Sequence, residues 1–459
     1  KMKKTLIYKS FNKLNQQIRI KRWEAFYKIP KNKLDIVFLG SSHSYTTYYP
    51  EMIDSSLKIN SFNMASNSQQ IDQLYFNLKE ILKYQKPNIV FVELFSLAGN
   101  SRDNEGNWFV YDNLDGQKLN LNKLKTVLAY RKKRDRLNSL FPLIRSHNNW
   151  KKIKDIGETI RNFKNDKDIE QFRGFERVQS EMGMGVKNQY LAELKEDYKA
   201  FYISEFNKNY LKKIRKLSEK YNFKIIYVYS PMYRDLINPN YQNKHKHFLN
   251  LANLYADDLL DFNIIGKNIG MNERWFENGY IWYQHTSFYG ARKITEYVID
   301  YLSKNYTLKS RESEKYWQER NRRKNIGYEQ KVASNLELMN EIKIKEIVYV
   351  PENENKGILE IRFNQNEVIK EIEDYRLKIH AFPINKEEKK LLKNGYQNWD
   401  MEIKLKKDKD YFYINREIDP QLQEYNLNIA LYKIKKDKNN KVIGYPNFGN
   451  QLNIEFKNK

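Results

Sequence analysis

The chain has 459 residues, which is enough for two or three domains, and 14% of them are aromatic, which argues against a disordered protein. It contains no cysteine, so disulfides, thiolate metal sites and cysteine nucleophiles are excluded. No apolar run approaches the roughly 18 residues of a membrane-spanning helix. The 82 Lys and Arg against 57 Asp and Glu give a formal charge of +25. Because the lysines are spread along the chain and form no nucleic-acid motif, we expect no nucleic-acid partner. Attraction to anionic polymers or membrane surfaces fits this charge better.

The first half of the chain alternates between two patterns. Residues 1–33 are basic and amphipathic, which predicts a surface helix. Short apolar runs then predict buried strands, and stretches with helical spacing separate them. The strands are predicted at 35–40, 59–64, 88–94, 223–229 and 261–263. This order predicts βαβ units, and therefore an α/β domain with a parallel sheet at 34–305. A polar, mostly helical stretch at about 98–185 interrupts it as an insertion.

The last part of the chain follows a different pattern. Residues 306–341 are rich in Arg, Lys and Glu at their start, which predicts a helical linker. From residue 342 the apolar residues recur every second position, and about seven short strands predict an all-β sandwich domain at 342–459. Its aromatic residues cannot all face the core in a strict period of two, so some are expected either to stack on sugar rings or to pack against the α/β domain. They are Trp399, Tyr411, Tyr413 and Tyr432.

Ser42 is the first candidate for chemistry. It follows the first predicted strand in the run Phe38-Leu39-Gly40-Ser41-Ser42-His43. Ligands of open α/β sheets bind at the carboxyl ends of the strands, and N–H groups at a helix start can stabilise the negative charge of an acyl intermediate. An exposed serine here is therefore a candidate nucleophile. The alternative is a plain polar turn.

His285 is the second candidate. It directly precedes Thr286 and Ser287, which are good N-cap residues for the last helix of the α/β domain. A serine hydroxyl is a weak nucleophile without a general base. A histidine on a loop at this helix start is placed to supply one. The alternative is a structural histidine.

These residues carry a resemblance to a known family. Phe38–His43, together with His285 and the Gly290-Ala291 that follows it, resembles the first and last blocks of the SGNH/GDSL hydrolase superfamily. The resemblance extends to an uncharacterised bacterial cell-envelope branch through Ser66-Asn-Ser-Gln-Gln, Lys86-Pro87…Glu93 and Phe141-Pro142…His147…Trp150, and it covers about residues 34–330. It implies a three-layer α/β/α sandwich in which Ser42 is the nucleophile and His285 the base.

The sequence departs from the family at two places. The family usually has Asp three positions before the histidine, where this chain has Trp282. An indole N–H cannot accept a hydrogen bond, so we expect a backbone carbonyl to orient His285 in a Ser–His dyad. The Asn that commonly serves the oxyanion hole is also absent after the third strand, where Glu93-Leu94-Phe95-Ser96 stands.

The remaining site residues are predicted from their positions in the sheet. The N–H of Ser42, the N–H of Ser66 and the amide of Asn67 are the candidate oxyanion donors, and the alternative for the last two is a turn with a helix cap. Glu93 and His43 are expected to contact the catalytic residues and not the substrate, and the alternative for Glu93 is a buried, paired carboxylate. No cofactor and no metal ion are expected.

The resemblance implies an envelope-associated esterase or O-acyltransferase that acts on acyl esters of a surface glycan. The expected partners are a surface polysaccharide or other acylated glycan and a membrane-bound acyl donor. The expected location is extracytoplasmic, at the cell envelope, with an anchor in a segment outside this chain. The alternative is a catalytically weak or inactive protein of the same fold that binds glycans or serves as a scaffold. A third hypothesis is a polyanion-binding surface protein.

Overall fold

The structure is a computed structural model, and it describes two compact units, residues 1–321 and 322–459. The described residues are 22–97, 109–141, 144, 173–178, 180–182, 198, 201–278, 284–321, 326–339, 342–352, 357–364, 375–383, 397–402, 406–407, 411–418, 424–433, 435–436, 442–444 and 451–457.

The first unit is built on a parallel five-stranded sheet, as predicted. Each strand is short and largely apolar, which is typical of strands covered on both faces. The strands are β1 (Ile36–Leu39), β2 (Ser61–Asn63), β3 (Ile89–Glu93), β4 (Lys224–Tyr229) and β5 (Asp258–Asp261), in the order β2-β1-β3-β4-β5. The strands that follow β1 in sequence lie on opposite sides of it, so the strand order reverses between β1 and β3. In open α/β sheets, ligands bind at the carboxyl ends of the strands at such a point.

Helices connect these strands and follow them. They are α1 (Ser42–Thr47), α2 (Pro50–Leu57), α3 (Ile71–Ile81), α4 (Phe109–Asp115), α5 (Leu121–Tyr130), α6 (Arg136–Leu140), α7 (Glu205–Tyr221), α8 (Tyr233–Ile237), α9 (Tyr241–Tyr255), α10 (Phe262–Asn268), α11 (Phe288–Asn305) and α12 (Lys315–Arg320). The predicted α/β class is confirmed, and α4–α6 lie within the predicted insertion. Among the described helices, none combines the length and the apolar character needed to cross a membrane.

The N-terminal segment differs from the prediction where it is described. Residues 22–28 are helical, but they are not a surface helix, because Trp23 and Phe26 are buried in the core. Phe26 meets Phe62 edge-on, with ring centroids 6.4 Å apart. Arg22 is also buried and donates to Glu176 at 2.8 Å. Residues 1–21 lie outside the described residues.

Only part of the predicted helical linker at 306–341 is helical in the described residues, namely α12 (Lys315–Arg320), and the segment does not act as a linker. Its first part belongs to the α/β unit: Arg311 forms a bidentate ion pair with Asp35 at 2.6 and 2.8 Å, and the indole of the buried Trp317 donates to the carbonyl of Ile59 at 3.0 Å. Its second part contains strand β6 (Gln330–Met339), which pairs with the next strand of the second unit. The charged composition of residues 306–341 gave no indication of these tertiary contacts and of this strand pairing.

The second unit is all β, and its described strands pair antiparallel in two main sheets, the arrangement that the sandwich prediction requires. The strands are β7 (Ile342–Pro351), β8 (Gly357–Asn364), β9 (Tyr375–Pro383), β10 (Gln397–Glu402), β11 (Lys406–Lys407), β12 (Tyr411–Ile418), β13 (Glu424–Lys433), β14 (Lys435–Lys436), β15 (Val442–Gly444) and β16 (Gln451–Lys457). One sheet runs β10-β9-β13-β16 and the other β11-β12-β8-β7-β6. Tyr413 is buried and so is not a sugar-stacking surface. The side chains of Trp399, Tyr411 and Tyr432 lie outside the described part.

Close backbone packing explains one glycine of the last helix. A Cβ placed on Gly290, in the first turn of α11, would lie 2.1 Å from the carbonyl oxygen of Trp275. Only glycine lets the helix approach the 273–275 turn this closely. The helix start also depends on Ser287, whose hydroxyl accepts from the Gly290 N–H at 3.1 Å and donates to the Arg274 carbonyl at 2.7 Å.

We expect Gly290→Ala to destabilise the chain by about 3 kcal/mol, because the clash is with backbone atoms that cannot rotate away. The measurement is the midpoint of urea unfolding. The matched control is Gly270→Asn. Gly270 has φ +72°, and a Cβ added there would meet no atom within 4 Å. Asn tolerates this conformation, so its cost should stay below about 1 kcal/mol. Equal losses in the two variants would contradict the packing argument.

Candidate active site

Ser42 lies at the carboxyl end of β1, next to β3 in the sheet. It is the first residue of α1, two residues after Gly40 at the end of β1. Every other residue from Gly40 to Pro50 is buried, whereas Ser42 is partly exposed. Its hydroxyl makes no hydrogen bond with any described residue, and the Ser41 side chain caps the helix instead. No hydrogen bond to a described residue therefore holds the Ser42 hydroxyl in a structural role.

The segment that carries His285 is bonded directly to α1. The hydroxyl of Thr286 donates to the Thr46 carbonyl at 2.9 Å and lies 2.9 Å from the hydroxyl of Thr47. The imidazole rings of His285 and His43 are 5.0 Å apart. The structure thus brings the two predicted site segments together, across 240 residues of sequence. The Ser42–His285 hydrogen bond itself is not formed and stays a prediction. Such bonds are often long before substrate binds.

Glu277 is the partner of His285, in place of the predicted backbone carbonyl. Its Oε1 lies 2.5 Å from His285 Nδ1 and also accepts from the His285 backbone N–H at 2.9 Å. Burial raises the pKa of Glu277, but the bonds and charge of His285 outweigh this effect and hold the pKa below its ordinary value. A carboxylate on Nδ1 keeps the proton there and leaves Nε2 as the basic atom. His285 Nε2 is buried and has no partner among the described residues.

Antiparallel pairing explains why Glu277 reaches His285 from eight positions away. Phe276 forms an isolated bridge with Thr286, and the Glu277 N–H donates to the His285 carbonyl at 2.9 Å. The two residues are therefore opposite each other. The sequence signal was the dipeptide Asn278-Gly279, which is typical of a chain reversal. The family that the sequence resembles has its Asp three positions before the histidine, which corresponds to Trp282 here. Trp282 lies outside the described residues.

Glu93 ends β3 directly beneath the serine turn. It is fully buried, its Oε1 accepts from the N–H groups of Phe95 at 3.1 Å and Ser230 at 3.4 Å, and its Oε2 lies 3.3 Å from the Ser41 hydroxyl. Burial raises the pKa of Glu93 to about 8 in spite of these bonds. A Cβ on Gly40 would lie 2.5 Å from the Glu93 Cβ, so glycine is needed there for the carboxyl to pack against the turn.

His43 is a second imidazole in the site. It is fully buried, its ring packs 3.9 Å from the ring of Phe95, and its Nδ1 lies 3.5 Å from the Ser41 hydroxyl. Its pKa is well below the ordinary value, first because of burial and then because of His285. Two charged imidazoles about 5 Å apart would repel by about 3 kcal/mol at an effective dielectric constant near 20. His43 is therefore neutral when His285 takes up a proton.

The three candidate oxyanion donors have different surroundings. The Ser42 N–H has no acceptor among the described residues, as is usual for the first turn of a helix. The Ser66 N–H donates to the Gly40 carbonyl at 3.0 Å. This bond removes Ser66 from the candidate donors and gives it a structural role, because it ties the loop after β2 to the end of β1. The Asn67 side-chain oxygen accepts from the Tyr45 hydroxyl, which orients its amide.

Three residues that carry part of the family resemblance lie outside the described residues, namely Pro142, His147 and Trp150. The described part of the chain contains no group of three or more His, Asp or Glu side chains arranged to hold a metal ion. His245, on α9, binds Asp261 at 2.8 Å.

Comparisons with known proteins give little further information. No protein family matches the chain, and no curated protein sequence matches it. Two solved structures of a two-domain esterase (CEX) active on acetylated mannans, one of them co-crystallised with mannopentaose, are similar at 8% identity and a TM-score of 0.29. Each alignment covers 96% of this chain and 95% of the other. Similarity this low does not transfer an activity, so the function has to be inferred from the site.

Glu93 gives a testable pH dependence of stability. Because its folded pKa of about 8 is raised above the ordinary 4.5, the folded state keeps a proton that the unfolded state releases. Stability should therefore fall as the pH rises from about 4.5 to about 8, by a few kcal/mol at most. Glu93→Gln, which is always neutral, should flatten this part of the curve in urea unfolding measured from pH 4.5 to 8.5. A variant curve parallel to the wild type would show that Glu93 is ionised in the folded protein.

Proposed function

We propose that the chain is a serine ester hydrolase or O-acyltransferase in which Ser42, His285 and Glu277 form the catalytic triad. One observation carries this proposal: an oriented His285–Glu277 pair is bonded, through Thr286, to the short helix whose first residue is the partly exposed Ser42. A buried turn that exposes one serine beside an imidazole with an unoccupied, buried Nε2 suits nucleophilic catalysis.

The reaction follows from the positions of the protons. His285 Nε2 takes the proton of Ser42 while Oγ attacks the ester carbonyl carbon, and the Ser42 N–H stabilises the resulting oxyanion. The bond from the carbonyl carbon to the alcohol oxygen then breaks, and His285 returns the proton to that oxygen. The acyl-Ser42 intermediate is attacked by water in a hydrolase, or by a sugar hydroxyl in a transferase. His285 again accepts the proton of the attacking group, the bond from the acyl carbon to Ser42 Oγ breaks, and His285 returns the proton to Oγ.

Glu277 supplies the charge that this cycle needs. Its lowered pKa keeps it ionised into mildly acidic solution, so it stabilises the imidazolium that forms at His285 in each step. The neutral state of Glu93 and His43 avoids further charges beside the developing oxyanion. The alternative of an inactive scaffold protein was motivated by the missing Asp, and the carboxylate of Glu277 weakens that motivation.

The substrate class follows from the resemblance of the serine and histidine blocks to envelope enzymes of the SGNH/GDSL superfamily. We propose an acyl ester of a surface glycan as the substrate, at the cell envelope, with a membrane-bound acyl donor in the transferase case. The +25 charge supports this proposal, since it attracts acidic surface polymers.

An active-serine phosphonate should label the wild-type protein, and Ser42→Ala should abolish the labelling, because Ser42 Oγ is the attacking atom. Intact mass spectrometry followed by peptide mapping measures the adduct and its position. The control is Ser55→Ala on α2, which should be labelled like the wild type. The Ser55 hydroxyl donates to the Met52 carbonyl. Labelling that survives Ser42→Ala would rule out Ser42 as the nucleophile.

We expect Glu277→Gln to lower kcat by about 10²- to 10⁴-fold with little change in KM, because the amide no longer stabilises the imidazolium. Release of acetate from p-nitrophenyl acetate and from an O-acetylated polysaccharide measures both parameters. Glu296→Gln on α11 is the matched control, since among the described residues Glu296 pairs only with Lys293 at the helix surface. If both variants retain wild-type kcat, Glu277 has no part in the reaction.

A further inference from the structure

A line of polar side chains continues from the site into the protein interior. The Ser41 hydroxyl lies between Glu93 Oε2, at 3.3 Å, and His43 Nδ1, at 3.5 Å, and it also accepts from the His43 N–H at 3.3 Å. All three side chains are at least 98% buried. His43 Nε2, the other nitrogen of the ring, is buried and has no partner among the described residues.

We propose that Glu93, Ser41 and His43 form a proton-sharing chain that sets the tautomer of His43, and that His43 is a positioning residue for the base His285. The kinetic consequence of this inference rests on the proposed function. The hydrogen-bond chain of Glu93, Ser41 and His43 can be tested without any catalytic activity. No bond to substrate is assigned to any of the three residues.

The direction of the chain follows from the donor and acceptor capacities of the three groups. A protonated Glu93 donates from Oε2 to Ser41 Oγ, because its Oε1 already accepts two backbone N–H groups. Ser41 Oγ then directs its own proton at His43 Nδ1, and the neutral ring carries its proton on Nε2. An ionised Glu93 reverses the order: Ser41 donates to the carboxylate, accepts from His43 Nδ1–H, and Nε2 becomes a bare acceptor.

The consequence for His285 comes from its distance to His43. The two rings are 5.0 Å apart, so the dipole of His43 acts directly on the imidazolium and the oxyanion of the reaction. When Glu93 ionises and the hydrogen bonds reverse, His43 has no proton on Nε2, so the Nε2 end of its dipole changes from positive to negative. The negative charge of Glu93 is added to this change. Both changes disfavour the oxyanion beside Ser42, and the imidazolium gains less from them because it already has the carboxylate of Glu277 as its counter-charge. The active form is therefore the one with a protonated Glu93 and an Nε2–H tautomer of His43.

Other ionisable groups lie around Glu93. Lys244 acts on Glu93 from α9 and lowers its pKa. The hydroxyls of Tyr48 and Tyr229 also interact with Glu93, and burial raises the pKa of both phenols well above the ordinary value, so they stay neutral.

His43 has its own charged neighbours. The largest effect on it after burial is that of His285, followed by the opposing effects of Asp235 and Lys244. These last two form an ion pair at 2.8 Å, so their net effect on the ring is small. A change of His43 near pH 8 therefore reports on Glu93.

The direct test reads the tautomer of His43 in the full-length protein. The chain has six histidines, so selective ¹⁵N-histidine labelling gives a small set of imidazole signals, and His43→Gln assigns one of them. We expect wild-type His43 to be neutral and Nε2-protonated at pH 6.5, and to change to the Nδ1–H tautomer with a midpoint near the Glu93 pKa of about 8. Glu93→Gln should keep the Nε2–H tautomer up to pH 9, and Glu296→Gln should match the wild type.

A kinetic measurement tests whether the hydrogen-bond chain of Glu93, Ser41 and His43 affects the reaction. The wild-type kcat/KM for ester hydrolysis should fall about tenfold per pH unit above the Glu93 pKa, and this limb should be missing in Glu93→Gln. The proposal is overturned if His43 is charged at pH 6.5, if its tautomer is the same at pH 6.5 and 9, or if Glu93→Gln titrates like the wild type. Absence of phosphonate labelling and turnover in the wild type would instead overturn the proposed function, and the imidazole spectra would still decide whether the chain exists.

Discussion

The bond from the Thr286 hydroxyl to the Thr46 carbonyl is the constraint on which the site depends. It fixes the start of the last helix of the α/β unit against the helix that follows the first strand. Two further residues fix this helix start. Ser287 caps α11, and Gly290 lets α11 approach the Trp275 backbone. Because Thr286 is buried and adjacent to His285, the same contacts that dock the helix also place the imidazole. Stability and chemistry therefore rest on the same few side chains.

Burial and hydrogen bonding determine which side chains of the site are charged. Glu93 and His43 are fully buried, and burial shifts their pKa values in opposite directions, so that both groups favour their neutral forms. Glu277 is less deeply buried and is bonded to His285, and its pKa moves the other way. The stable charge among these three groups is thus held on Glu277, the carboxylate that contacts His285. A site with this distribution can develop an imidazolium and an oxyanion without a second fixed charge opposing either of them.

Sequence reasoning found the parts of the site that depend on short-range pattern. The strand-end rule and a helix cap located Ser42 and His285, and alternating strands and helices predicted the sheet that holds them. It missed Glu277, because antiparallel pairing brings this residue to His285 and the pairing cannot be read from a fixed spacing. It also misjudged Ser66, whose N–H is taken by Gly40, and residues 306–341, whose charges have tertiary partners. Each error concerns a bond between segments that are distant in sequence or separated by a turn.

Glu93 gives a physical reason for the second departure from the family pattern. An asparagine in this region would offer a neutral amide that both donates and accepts. A carboxyl group with a pKa of about 8 is also neutral at pH 7, and it too donates from one oxygen and accepts at the other. Here its acceptor oxygen holds the start of the 94–97 turn and the end of β4, through the N–H groups of Phe95 and Ser230. The other oxygen faces Ser41, next to Ser42. A protonated glutamate therefore performs the hydrogen bonding of an amide, but unlike an amide it can lose a proton, and this makes the serine turn sensitive to pH.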